Sequence, residues 1–228
     1  MILSWLRSSI GKKSMMAVSG LLLIGFVIMH LLGNLLIYGG PDVLNTYAEK
    51  LRHLGPILWI ARLVLLTALV LHIITSIMLA KENRDARPVA YAKQQMLRTT
   101  LAARTMMLSG LMVVAFIVYH LLHFTFRVTN PAISNLTDAL GRHDVYAMVV
   151  FSFREPAIVG AYLIAMALLC AHLSHGIASM FQTLGLNTDR TLPVIERLGH
   201  LVAGLLFLGY ISIPVSVLLG WVTMPGGS

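Results

Sequence analysis

Charge is scarce in this sequence: only 11% of its 228 residues are Asp, Glu, Lys or Arg, against about 25% in soluble domains. Apolar residues make up 57% and the mean hydropathy is +0.82, which excludes a water-soluble globular protein and makes lipid the solvent. Cysteine is nearly absent. The single Cys170 lies in an apolar run, so an intrachain disulfide is excluded and the thiol reads as a small core residue. Acidic residues are few, nine against seventeen Lys and Arg, for a formal net charge of +8. The basic residues sit at the ends of apolar runs rather than in one patch. They therefore read as topology determinants and contacts to anionic lipid or a partner subunit, not as a nucleic-acid site. No polar stretch is long enough for a second domain, so residues 1–228 form one.

Five runs are long and apolar enough to cross a hydrocarbon core of about 30 Å, which takes roughly 20 residues: residues 16–38, 57–80, 105–126, 157–181 and 198–222. A lipid-exposed backbone must satisfy its own N–H and C=O groups, so these runs are expected to be helices and the fold all-α and polytopic. Gly39-Gly40-Pro41, Pro56, Asn130-Pro131, Pro156 and the stretch 187–193 punctuate them. The first run is longer than a signal-peptide core and lacks a small-x-small cleavage site after it, so it reads as a retained span. Residues 2–13 mix apolar and basic side chains and read as an interfacial segment. Eleven Lys and Arg fall on the side of Lys12, Lys13, Lys81 and Arg84, and six on the side of Lys50, Arg52 and Arg154. The positive-inside rule makes the first side cytoplasmic, with the N-terminus inside and the C-terminus outside.

Nine histidines are the informative feature. An ionisable side chain deep in a span is a functional candidate by default. His30, His72, His120 and His172 each occupy a different one of the first four spans. At 1.5 Å per residue, His30 and His120 lie about 21–22 Å from the inner ends of their helices, while His72 and His172 lie about 22 Å from the outer ends of theirs. Two histidine pairs at levels roughly 10 Å apart result. Two stacked pairs suit two bis-histidine haems, each neutral imidazole giving one axial nitrogen to iron. A closed zinc site would want four ligands at one level. Gly20, Gly25, Gly33, Gly110, Gly160 and Gly176 would let flat rings approach the backbone, or serve ordinary helix packing. His123 and His175 share a helix face with His120 and His172 and stand as alternative ligands. His53, His143 and His200 read as surface or structural residues.

The segments SGLLLIGFVIMHLLGNLLIY, FIVYHLLHFTF and AHLSHGIASMFQTLGL resemble the single-chain, five-helix cytochrome b subunit of succinate:menaquinone oxidoreductases and quinol:fumarate reductases, over nearly the whole chain. The resemblance implies a bundle holding two haem b, with His30 and His120 on the outer iron and His72 and His172 on the inner. It also implies a flavoprotein and an iron–sulfur subunit docked at the cytoplasmic face of a bacterial membrane. Electrons would pass between them and menaquinone or another quinone, and the dicarboxylate site would lie on the flavoprotein, not here. The outer connection 39–56 supplies Asp42, Glu49 and His53, of which Glu49 and then His53 are the expected quinone-site residues. Arg154 is placed to pair with an outer-haem propionate. Two rivals remain at this level. One is the cytochrome b anchor of another quinone-linked oxidoreductase. The other is a histidine-relay transporter, which would call for inverted repeats or broken helices.

Overall fold

The computed structural model describes residues 8–86 and 104–226. In chain order they form α1 (Ser9–Asn34), a 3-10 turn (Leu35–Gly39), α2 (Pro41–His53), α3 (Pro56–Asp85), α4 (Met106–His120), a π turn (Leu121–Thr125), α5 (Pro131–Ser134), α6 (Val145–Phe153), α7 (Pro156–Thr183) and α8 (Leu192–Leu218). The fold is all-α, with five helical stretches long and apolar enough to cross a membrane: Ser9–Gly39, Pro56–Asp85, Met106–Thr125, Pro156–Thr183 and Leu192–Leu218. The expected spans fall on these five, and the fifth is displaced. It starts before Pro193, because proline at the first turn of a helix forfeits no intrahelical hydrogen bond.

Helix starts follow their sequence signals. Ser8 caps α1 by accepting from the Gly11 N–H at 3.0 Å. Pro41, Pro56 and Pro156 each open a helix. Gly40 and Gly55, at φ +89° and +54°, make the left-handed turns before the first two of these prolines, a conformation that suits glycine. The side of the bundle where α1 begins is called the near end, and the side of Pro56 and Pro156 the far end.

The bundle is built from hairpins. α3 packs chiefly on α1, α4 on α7, and α7 on α8, while α1 also touches α7. Only Ala68, Thr75 and Leu79 of α3 are buried, and only Ser109 of α4. Their remaining faces are apolar and exposed, as lipid-facing helices require. Close approach needs small residues: a Cβ at Gly209 would stand 2.7 Å from Leu31, and one at Gly33 2.6 Å from the Tyr47 Oη.

The far end is capped. The outer connection 39–56 is mostly the helix α2. α6 is almost wholly buried, and its Tyr146, Val150 and Phe153 pack with Val159, Tyr162, Ile213 and Val217. Asn45, 1% exposed, donates to the Asp144 Oδ1 at 3.0 Å and accepts from the Tyr146 N–H at 3.0 Å. Arg142 donates to Asp138 at 2.7 Å, Asp42 at 2.9 Å and Thr46 at 2.7 Å. These bonds tie α2 to the segment that leads into α6.

The near end is held by Lys12, which is buried and ion-paired with Glu82 of α3. Contrary to the expectation from sequence, Lys12 is therefore not one of the basic residues free to contact lipid or a partner subunit. Arg7, Arg87, Lys93 and Arg98, and residues 2–7 of the interfacial segment, lie outside the described residues; its other half, 8–13, is not a separate segment but the cap and first turn of α1.

Burial opposes ionisation of Asp138, but the Arg142 guanidinium, the Arg142 and Leu140 N–H groups and Asn45 hold its pKa below the usual carboxylate value. A depressed native pKa gives stability that is present above the unfolded value of about 3.9 and lost as pH falls through the native one. After correction for intrinsic rates, amide exchange at Tyr146 and Ala147 should stay slow from pH 8 to 5 and speed up below about pH 4. In Arg142→Leu the protection should already be reduced at pH 7.

Candidate functional site

Four imidazoles on four spans meet in two pairs. His30 on α1 faces His120, the last residue of α4, with ring centroids 5.8 Å apart. His72 on α3 faces His172 on α7 at 6.4 Å. In neither pair do the two helices pack closely on each other, so the side chains reach across a gap. A metal–imidazole bond is about 2 Å; two ligands on opposite sides of one metal therefore have facing nitrogens about 4 Å apart and ring centroids about 6 Å apart. Both observed separations agree with that. Among the described residues no three His, Cys, Asp or Glu side chains converge on one point, so the donors come as isolated pairs, which suits axial ligation and not a closed tetrahedral site.

Hydrogen bonds decide which nitrogen three of the four rings offer. His72 Nδ1 lies 3.1 Å from the Met16 carbonyl and 3.4 Å from the Ser19 hydroxyl. A carbonyl only accepts, so Nδ1 carries the proton and Nε2 keeps its lone pair. His172 repeats the arrangement, with Nδ1 3.3 Å from the Ser109 hydroxyl and the Met106 carbonyl beside the ring. His120 Nδ1 lies 3.3 Å from the Tyr162 Oη, and Tyr162 lies 3.0 Å from His123 Nδ1. His123 Nε2 is 3.1 Å from Ser152, which donates to the Met148 carbonyl at 2.7 Å. That final carbonyl fixes the polarity of the chain back to His120, whose Nδ1–H donates to Tyr162. A ligating histidine gives its second N–H to such an acceptor, which sets tautomer and ring orientation.

The rings are also given room. A Cβ at Gly20 would stand 3.3 Å from His72 Cε1, and one at Gly110 3.4 Å from His172 Cε1. Phe26 stacks on His30 at 5.3 Å, and Phe116 lies 5.8 Å from His120. The donor chemistry, the spacing and the glycine-backed clearance fit two haems.

His123 is 1% exposed and both its nitrogens are engaged, so it has no lone pair to spare and supports His120 through Tyr162. His175 spends its Nε2 on Ser179 at 3.0 Å and, among the described residues, is paired with no histidine on another helix. His143, outside the spans, has its pKa pushed down by burial and by Arg52 and Arg127; its neutral ring accepts from Arg127 at 3.2 Å. His200 bonds the Glu196 carbonyl of its own helix. Glu49 and His53 lie one turn apart on α2, 3.9 Å from each other, the first half-exposed and the second exposed. Asp42 is taken up by Arg142. Arg154 is exposed, with its guanidinium 5.1 Å above the Phe151 ring.

Sequence reasoning missed Ser19, Ser109 and Tyr162. The serines had a signal: SGLLLIGFVIMHLL at 19–32 returns as SGLMVVAFIVYHLL at 109–122, a constant offset of 90. No family model matches the chain, and no curated protein or solved structure matches it.

Tyr162 serves two imidazoles at once. Tyr162→Phe leaves His120 Nδ1 and His123 Nδ1 unpaired in a buried setting, which costs about 1–3 kcal/mol per group. Its thermal midpoint in detergent should fall clearly below that of Tyr119→Phe, whose ring is packed nearby without either bond.

Proposed function

We propose that this chain is the two-haem cytochrome b anchor of a succinate dehydrogenase or fumarate reductase. It would lie in a bacterial cytoplasmic membrane with its near end facing the cytoplasm. The observation that supports this most is the pair of facing histidine couples, each spanning a gap between helices that do not pack on one another. His30 and His120 would hold the outer iron, and His72 and His172 the inner. Bound there, haem b supplies reversible one-electron transfer between the two sides of the membrane.

The chain's own residues do the rest. Tyr162, Met16 and the two serines hold the imidazole tautomers, and the lipid-facing helices exclude water. Lys13, Lys81, Arg84, Arg104, Arg190 and Arg197 are exposed at the near end and would receive the iron–sulfur subunit, with the flavoprotein beyond it. Retention of both hydrophilic subunits on purification from the native membrane supports that docking; a fully haem-loaded chain that always purifies alone contradicts it. At the far end Glu49 and His53 are open to solvent, as groups that feed protons to a quinone would be. Arg154 would pair with an outer-haem propionate, and unchanged outer-haem potential in Arg154→Leu removes that role. A histidine-relay transporter fits less well, because the chain from His120 ends on the Met148 carbonyl, which can take up no proton.

The purified chain should contain two haem b by pyridine haemochrome assay. His72→Leu or His172→Leu should lose one haem and His30→Leu or His120→Leu the other, while His123→Leu keeps both. One haem or none in the unaltered chain overturns the reading. In the assembled complex, Glu49→Gln should keep both haem spectra and dye-linked succinate oxidation but lose at least tenfold in quinone-linked turnover. Full quinone activity in Glu49→Gln and His53→Leu would remove α2 from the mechanism.

A further inference from the structure

The 90-residue repeat is realised in three dimensions, residue for residue. Met16 and Met106, Ser19 and Ser109, Gly20 and Gly110, Phe26 and Phe116, and His30 and His120 are repeat partners. In the first copy, the Met16 carbonyl, the Ser19 hydroxyl and the Gly20 Cα face His72 on the next span. In the second, the equivalents face His172 on the next span. Each repeat thus contributes one imidazole of its own to the His30–His120 pair and builds the seat for one imidazole of the His72–His172 pair.

We infer that Ser19 and Ser109 are matched positioning residues of the His72–His172 pair. The inference rests on the haem reading above. Ser19 donates its own proton to the Met15 carbonyl at 2.7 Å and lies 3.1 Å from the Met16 carbonyl. Its oxygen is therefore left as an acceptor, and the His72 Nδ1–H is shared between Met16 and Ser19. Ser109 stands likewise, 3.1 Å from the Met106 carbonyl. An acceptor on Nδ1–H makes an imidazole more electron-rich at Nε2 and so a stronger donor to ferric iron. Both axial ligands of one haem are polarised this way, by the same motif. His120 instead relies on a tyrosine, so the two haems are set apart by chemistry and not only by depth.

Ser19→Ala and Ser109→Ala test this by redox titration and low-spin EPR of the purified protein. The His72–His172 haem is first identified as the one lost in His172→Leu. Each variant should keep two haems and raise the potential of that haem alone, by up to about tenfold in its reduction equilibrium, or 59 mV for one electron. The double variant should shift it further, and Ser→Thr, which keeps the hydroxyl, should restore it. A hydroxyl that only back-bonds its own helix would change thermal stability and leave both potentials in place; that result, or equal shifts in both haems, overturns the inference. If one variant does not assemble, the other decides, because the repeat makes them equivalent. Absence of two haems in the unaltered chain is a different failure and defeats the haem reading itself.

Discussion

A half-buried imidazole between lipid-facing helices must have its polar atoms satisfied, and here that demand organises the bundle. Leaving a polar group unpaired in an apolar interior costs several kcal/mol. Three of the four deep histidines discharge one nitrogen, Nδ1, into a neighbour: Met16 with Ser19, Ser109, and Tyr162. What remains is Nε2, and the helices that carry the paired rings are held apart instead of closing on each other. Ordinary helix packing would have filled those gaps with small residues. The gaps persist because α1 and α7 are each braced by other partners, α3 and α8.

The far-end cap serves the same site. Tyr162 is held in a cluster with Phe116, Tyr119, Phe124 and Phe153, and Phe153 belongs to α6. α6 is in turn fixed by Asp144, Asn45 and the Arg142 clamp on α2. The orientation of His120 therefore depends on polar bonds that lie outside the five spans. Among the described residues, the near-end pair is held by its two repeated serine seats and by the Lys12–Glu82 tie between α1 and α3.

Much of the framework was legible in the sequence, for definite reasons. Apolar runs in a low-charge chain have one solution in lipid, so the five spans and the all-α class followed from composition. Depth counted along a straight helix paired His30 with His120 and His72 with His172, because 1.5 Å per residue is a rigid ruler. The ruler could not tell His120 from His123, since both lie on one helix face; only the structure shows that both His123 nitrogens are taken up by Tyr162 and Ser152. Nor could it see that Lys12 turns inward to Glu82, or that residues 41–53 fold as a helix across the far end. Those outcomes depend on side chains 70 or more residues apart. Ser19 and Ser109 look like routine span residues until the repeat and the histidine on the next helix are considered together.

If each of the two facing histidine couples holds one haem, as proposed, the iron at both positions should be low-spin with two imidazole ligands. The direct measurement is the EPR spectrum of the oxidised, purified chain. It should show two separate low-spin ferric signals of bis-imidazole type, with essentially no high-spin ferric iron. A dominant high-spin signal, or a single low-spin species in a fully loaded chain, would contradict the pairing of these four histidines.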